Sequence, residues 1–321
     1  MMNKIKRLVD NTRYSFRIAQ KCDPVIGMVT LGDTVIFRNR GSLGKKCSLL
    51  LHKLVQQYLG RKYGYVFDAY NTNTNDKETC IKENDPIWIF WWQGIKGMPD
   101  IIYMCIESIK RNAGKHPVIL LDKDNYMEYV EMPDYILEKL KRQEISITHF
   151  SDALRFQLLY SNGGIWVDSS LYAVGDFAKN ITGSFYTVRH GKFVDSHVCM
   201  GLWSTFFLAA GKGNSFMMLV RDVLFEYLKN EEIMITYFLI DCIMAKAYSE
   251  FDCVRELVQQ VPINNINVFE LFPLLNSPFD KERMRQLSQS TDLFKLSYKN
   301  ISNQYADNSY YNKVIHEQYI K

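Results

Sequence analysis

The sequence predicts an α/β fold, an open and mostly parallel sheet flanked by helices, with a helical extension at its N-terminus. Three observations carry that expectation. Strand-like and helix-like patterns alternate after residue 86. A helical stretch at 151–162 runs through Gly163 and Gly164 into a short apolar strand that stops at Asp168. Residues 43–62 repeat apolar side chains at helical spacing.

In the front of the chain, LGKKCSLLLHKLVQQYLGRK (43–62) places Leu49, Leu50, Leu54 and Tyr58 on one helical face with Lys and Gln between them. Residues 1–62 hold thirteen Lys/Arg against three Asp, a net +10 that leaves −6 for the rest of the chain. Such asymmetry suits a polyanionic partner such as anionic lipid headgroups, or else a solvated helical face. Nucleic acid is not expected, because Tyr14, Phe16 and Phe37 interleave too sparsely with the basic residues. GSLGKKCS (41–48) is not a phosphate loop, since two residues instead of four separate its glycines and Cys47 stands where Ser or Thr is needed. The polar segment 71–85, rich in Asn and Thr and ending at Pro86, marks the boundary between a basic helical region (1–80) and an α/β domain (81–321).

Beyond Pro86, IWIFWW is a β-prone run, PDIIYMCIESIKRNAG a helix with Pro near its start and Gly past its end, and PVILL a buried strand. That succession is a parallel βαβ unit. MPDYILEKLKRQ (132–143) is helical. Ser151 is the expected N-cap of the next helix, Leu154, Leu158 and Leu159 line its apolar face, and Asn162-Gly163 closes it. WSTFFLAA reads as another strand, followed by a GKGNS turn and by helices in FMMLVRDVLFEYLKN, YFLIDCIMAKAY and CVRELVQQV.

No run of about eighteen uncharged apolar residues exists, so no membrane span is expected. The N-terminus lacks the apolar core of a signal peptide, which points to the cytoplasm. The seven cysteines lack CxxC spacing and read as reduced thiols. An aromatic-rich chain with 47% hydrophobic residues can bury a large core, which excludes a disordered or fibrous class.

Ligands of open α/β sheets settle beyond the carboxyl ends of the strands, so a strand ending on Asp168 presents that carboxylate to the crevice. Asp152 and Arg155, three apart on the preceding helix, share a face and can grip a hydroxylated ligand together. A surface ion pair beside a structural turn is the plainer alternative.

The order of these parts, in HFSDALRFQLLYSNGGIWVDSS (149–170), closely resembles the bacterial capsular polysaccharide synthesis protein family, and more distantly glycosyltransferase family 32 and the large clostridial glucosylating toxins. PIWIFWWQG, WSTFFLAAGKGNSF and YFLID extend the resemblance over about residues 86 to 250. It implies a GT-A, Rossmann-like sugar transferase with a DxD-type site. Trp92 would then stack on a uracil-like base, with Gln93 and Gly94 in the turn beside it. Ser151 would neighbour the nucleotide, Asp152 and Arg155 would hold donor-sugar hydroxyls, Gly163 and Gly164 would allow the tight return, and Asp168 would contact ribose and metal. Asp241 is the candidate for orienting the acceptor hydroxyl, with a polar residue capping or satisfying a buried helix contact as the equal alternative; His149 and His197 are candidates for the border of the site, with a structural role as the plainer alternative.

Ser170 stands where the toxins carry an acid, although the capsular family tolerates a hydroxyl there. A neutral hydroxyl is a poor ligand for a hard divalent cation. Two readings therefore stand: Mn²⁺ or Mg²⁺ bridging Asp168, Ser170 and a diphosphate, or a metal-independent reaction with a cation such as Lys299 against the phosphates. The resemblance further implies transfer from a nucleotide-sugar donor, most simply a UDP-sugar, to an oligosaccharide or lipid-linked glycan acceptor with retention of anomeric configuration. The rival readings are a non-catalytic nucleotide-sugar or glycan binder with a decayed metal site, and a sugar-phosphate transferase.

Overall fold

The structure, a computed structural model, describes residues 2–37, 41–72, 79–299 and 305–317. Three helices lead: α1 (Met2–Lys21), α2 (Pro24–Leu31) and α3 (Gly41–Thr72). Asp23 caps α2 by accepting from the amides of Val25 and Ile26, and Pro24 supplies the fixed φ of the first helical position. The helix read over 43–62 continues to Thr72 through a kink at Tyr63 (φ −119°, ψ 17°). The expected boundary at 71–85 lies partly outside the described residues.

The α/β part begins with β1 (Ile87–Phe90), α4 (Asp100–Arg111), β2 (Val118–Leu121), α5 (Asp134–Lys141), α6 (Ile147–Asn162) and β3 (Gly164–Val167). It continues through β4 (Leu171–Ala173), β5 (Phe185–Thr187), β6 (Phe207–Ala210), α7 (Ser215–Asn230), α8 (Leu239–Glu250), α9 (Asp252–Gln260), α10 (Lys281–Ser288) and β7 (Leu293–Lys295). The main sheet has the order β2-β1-β3-β6-β5. β2, β1 and β3 pair in parallel, β6 runs against β3, and β5 runs against β6, so four of the five strands point the same way. Every residue of β1, β3 and β6 is buried. Because side chains alternate across a strand, that pattern requires cover on both faces of the sheet, which is the helix-flanked layout expected. A second sheet pairs β4 with β7 antiparallel, Leu171 opposite Lys295.

The N-terminal helices join the same hydrophobic core: Ile18, Ile26, Leu51, Val55 and Leu59 are buried in one cluster with the strands. α3 packs on α7 and α8. The buried carboxylate of Glu231, just past α7, accepts from the hydroxyls of Tyr58 (2.6 Å) and Tyr63 (2.7 Å) and pairs with Lys62. Tyr14 donates to the Met234 carbonyl at 2.6 Å. These contacts fix residues 231–238, the segment leading into α8. Among the described residues, no helix is long and apolar enough to cross a membrane.

α6 starts one turn earlier than the sequence reading placed it, and Ser151 is not its cap. Ser146 caps it in a reciprocal box, with its Oγ accepting from the His149 amide and its own amide donating to His149 Nδ1. Histidine stands at the third helical position where Glu or Gln usually completes such a box. Ser151 therefore lies within the helix. The far end follows expectation: Gly163 (φ 72°) and Gly164 (φ 103°) turn the chain back into β3. A Cβ on Gly164 would lie 2.4 Å from the Pro86 carbonyl oxygen, so the close approach of β3 to the chain entering β1 also requires glycine.

Candidate active site

The carboxyl end of β3, the first turns of α6, the chain entering β6, the start of α8 and the end of β7 surround a cavity of about 320 Å³. Asp152, Arg155, Asp168 and Asp241 all line it, together with Lys295 and an aromatic wall that includes Phe206, Tyr237, Phe238 and Phe269. His190, His197, Cys199 and Trp203 also line it. A second cavity of about 380 Å³, between the N-terminal helices and the 234–238 segment, shares Tyr237 and Phe238 with the first; His149 lines this second cavity, not the first.

Arg155 is the hinge of the arrangement. It is 5% exposed, its Nη1 lies 3.2 Å from Asp152 Oδ1, and its Nη2 lies 3.2 Å from Asp168 Oδ1. Its guanidinium carbon sits 4.9 Å from the centre of the Trp166 ring, and the Nε is buried without a partner. Helical spacing places Asp152 and Arg155 on one face, and the glycine turn returns β3 so that Asp168 meets the same guanidinium. The segment 149–170 thus closes on itself through one residue.

Asp168 is held from several directions. Trp166 Nε1 donates to its Oδ1 at 3.0 Å, Lys295 Nζ donates to its Oδ2 at 2.7 Å, and its amide donates to the Phe206 carbonyl at 2.9 Å. Burial alone would raise this carboxyl, but Lys295, then Arg155, then the hydrogen bonds from Lys295 and Trp166 outweigh it and hold the group down at about 2. Asp152 goes the other way. Burial pushes it up to about 7, opposed by Arg155 and reinforced by the negative charges of Asp168 and Asp241. Asp241, 9% exposed, accepts from Trp203 Nε1 at 2.9 Å; burial raises it against the pull of His197, Trp203 and Arg155.

The histidines are bound into this wall. His197 Nδ1 lies 3.1 Å from Cys199 Sγ and accepts from the Cys199 amide, and its ring meets Phe238 edge-on at 4.7 Å. Burial lowers His190 to about 4, helped by Lys192 and His197, so it is neutral near pH 7.

The remaining candidates lie elsewhere. Trp92 stands two residues past β1, at the same sheet edge as Asp168, but outside the cavity lining: its ring packs edge-on against Phe90 and Phe150. Gln93 is exposed, and Gly94 takes φ 66° in the turn beside it. Trp88 is a core residue that donates to the Gly163 carbonyl. Ser151 and Ser170 do not line the cavity, and the Ser170 carbonyl accepts from the Leu296 amide. Lys299 is exposed, with its Nζ over the Tyr298 ring at 5.7 Å.

Sequence reasoning missed Lys295, four residues before Lys299. The pairing of β7 with β4 brings it to Asp168 from 127 positions away, and a three-residue strand carries no periodicity that would reveal the partnership. Trp203 and Tyr237 were also missed as site walls, although both lie in segments that resemble the capsular family.

A divalent cation needs hard oxygen ligands with free lone pairs. Asp168 gives Oδ1 to Arg155 and Trp166 and Oδ2 to Lys295, Asp152 is turned to Arg155, and Ser170 offers only a neutral hydroxyl outside the cavity lining. Among the described residues, no group of three or more His, Cys, Asp or Glu side chains is placed to hold a metal ion. The residues around Asp168 therefore fit a ligand bearing its own negative charge better than they fit Mn²⁺ or Mg²⁺.

Chemically, the cavity offers carboxylates to accept from hydroxyl groups, two cations to face an anion, and aromatic walls to cover an apolar ring face. Comparison with known proteins agrees in class. The family model for the capsular polysaccharide synthesis protein matches residues 38–314, and the chain belongs to that family. Membership supports a glycosyltransferase activity in polysaccharide assembly. No curated protein matches the chain. Among solved structures, a PaToxG glycosyltransferase matches at 15% identity with a TM-score of 0.39, over 67% of this chain and 90% of that one.

Proposed function

We propose that this member of the capsular polysaccharide synthesis family transfers a sugar from a nucleoside diphosphate sugar, most simply a UDP-sugar, to a growing cell-surface glycan, with retention of anomeric configuration. The observation that carries the reading is Arg155 bridging Asp152 and Asp168 at the carboxyl edge of the sheet, inside a cavity sized for a sugar. In this reading Asp152 and Arg155 bind the sugar hydroxyls, and Asp168 sits under the ribose and diphosphate. Trp92, with Gln93 and Gly94, covers the base at the neighbouring strand end, and Asp241 orients the acceptor hydroxyl.

Leaving-group chemistry explains why cations matter here. As the sugar–phosphate bond breaks, negative charge grows on the diphosphate, and preorganised positive groups stabilise that charge more in the transition state than in the ground state. A strong acid is not needed.

The reading also includes a peripheral contact of the cytoplasmic protein with anionic membrane. On α1, Ile5, Leu8, Val9 and Phe16 are exposed along one face, within the stretch that carries the +10 charge. Because α3 is part of the core, deletion of residues 1–62 would unfold the protein. Flotation with anionic liposomes should instead compare wild type with Leu8→Glu/Phe16→Glu; equal recovery of the two counts against the contact.

The donor is tested by thermal shift against UDP, GDP, CDP and their sugars. One nucleotide series should raise Tm selectively. No rise with any of them removes the reading. Release of nucleoside diphosphate from the stabilising donor separates a transferase from a binder, which shows affinity without turnover, and release of monophosphate would mark a sugar-phosphate transferase.

A further inference from the structure

The cation nearest Asp168 is a lysine that the fold delivers from the far end of the chain. Lys295 ends β7, and the strand is tied down on both sides of it: the Lys295 amide donates to the Val268 carbonyl at 2.7 Å, and the Leu296 amide donates to the Ser170 carbonyl at 2.9 Å. The second bond anchors it to the DSS motif itself. The ammonium lies 2.7 Å from Asp168 Oδ2 and 5.1 Å from the centre of the Phe206 ring, whose own carbonyl accepts the Asp168 amide. Asp168, Phe206 and Lys295 thus form one packed unit, with the ammonium lining the cavity.

We propose that Lys295 is the built-in cation of this site: it binds the diphosphate of the donor and stabilises the departing nucleoside diphosphate, so that the reaction proceeds without a divalent metal. The inference rests on the reading of the cavity as a nucleotide-sugar site. An ammonium has three N–H donors and Asp168 takes one, which leaves donors for phosphate oxygens. Arg155 adds a second fixed positive charge on the opposite oxygen of the same carboxylate. A divalent ion placed at Asp168 would have to displace the ammonium and lie between two cations.

In the step itself, the bond from the anomeric carbon to the phosphate oxygen breaks and its electron pair stays on the diphosphate, facing Lys295. A bond forms from the anomeric carbon to the acceptor oxygen, or to water in the hydrolytic side reaction. The acceptor's proton passes to the departing phosphate. Charge is conserved at the cavity, and no oxidant or other co-reactant is required.

The test is calorimetric titration of the full-length protein with UDP, GDP and CDP, in excess EDTA and again in excess Mn²⁺. One nucleotide should bind with the same Kd in both conditions. Lys295→Ala should weaken that binding about tenfold and slow nucleoside diphosphate release from the matching donor about 100-fold, while Lys295→Arg, which keeps the charge, should retain most of both. Added Mn²⁺ should not restore the alanine variant. Thermal unfolding checks that the variants are folded, and the wild-type comparison needs no variant at all. The proposal is overturned if wild-type binding appears only with Mn²⁺ or tightens about tenfold with it, or if folded Lys295→Ala binds as tightly as wild type. Absence of nucleotide binding in both conditions would instead remove the donor-site reading, and this inference with it.

Discussion

Asp168 and Asp241 line the same cavity, and their surroundings are unlike. Asp168 meets two cations and an indole N–H, which hold it ionised down to about pH 2. Asp241 accepts a hydrogen bond from the neutral indole of Trp203, and burial raises it against the pull of His197, Trp203 and Arg155. The surroundings of Asp168 hold two ion-paired cations and suit an anionic leaving group; those of Asp241 offer no direct ion pair among the described residues and suit a hydroxyl. The difference assigns the donor to the β3–β7 side and the acceptor to the α8 side in the proposed reading.

Removing the shared cation should break the comparison most severely. Arg155→Ala takes the cation from the buried carboxylate of Asp152 and leaves Asp168 with Lys295 alone, and chemical denaturation should show a loss of about 3–5 kcal/mol. A loss under about 1 kcal/mol would mean that the pairs are worth no more than surface ones.

Asp168→Asn keeps the shape but removes the charge that places Lys295, and donor turnover should fall about 100-fold. The same variant sharpens the electrostatic half of the contrast. The folded carboxyl lies below its unfolded value near 4, so its contribution to stability is present above about pH 4 and disappears as pH falls through about 2. Integrated over that interval it amounts to about 2 kcal/mol, and the asparagine variant should lack that part of the acid limb.

On the other side, Asp241→Asn keeps an acceptor for Trp203 and should leave donor hydrolysis intact while slowing transfer to acceptor about tenfold or more. Equal loss of both activities would erase the distinction between the two sides. The mildest effect concerns Asp152, whose burial places it at about 7. It carries a proton below that pH and charge above it, so donor affinity should change across an apparent pKa near 7, and the change should vanish in Asp152→Asn.

The stretch from α6 to Asp168 was legible because local rules govern it: apolar spacing for the helix, a glycine pair for the return, a buried strand ending on an acid. β1, α4, β2 and the apolar strand β6 were legible for the same reason. The start of α6 was not, because His149 completes the capping box in place of the usual acid or amide. Lys295 was hidden by distance along the chain, since only the pairing of Leu171 with Lys295 brings it to the site. The role of the N-terminal helices was hidden likewise. Their apolar spacing shows helices, but the convergence of Tyr58, Lys62 and Tyr63 on Glu231, which fixes the segment forming the cavity wall, is a tertiary fact.

The most direct test of the account is the rate at which the purified protein releases nucleoside diphosphate from a panel of UDP-, GDP- and CDP-sugars, measured beside Arg155→Lys, which keeps the charge but cannot bridge two carboxylates with one planar fork. The account predicts release from one donor series by wild type and a fall of about 100-fold in the variant. Release at equal rates by both proteins, or from no donor by either, would contradict it.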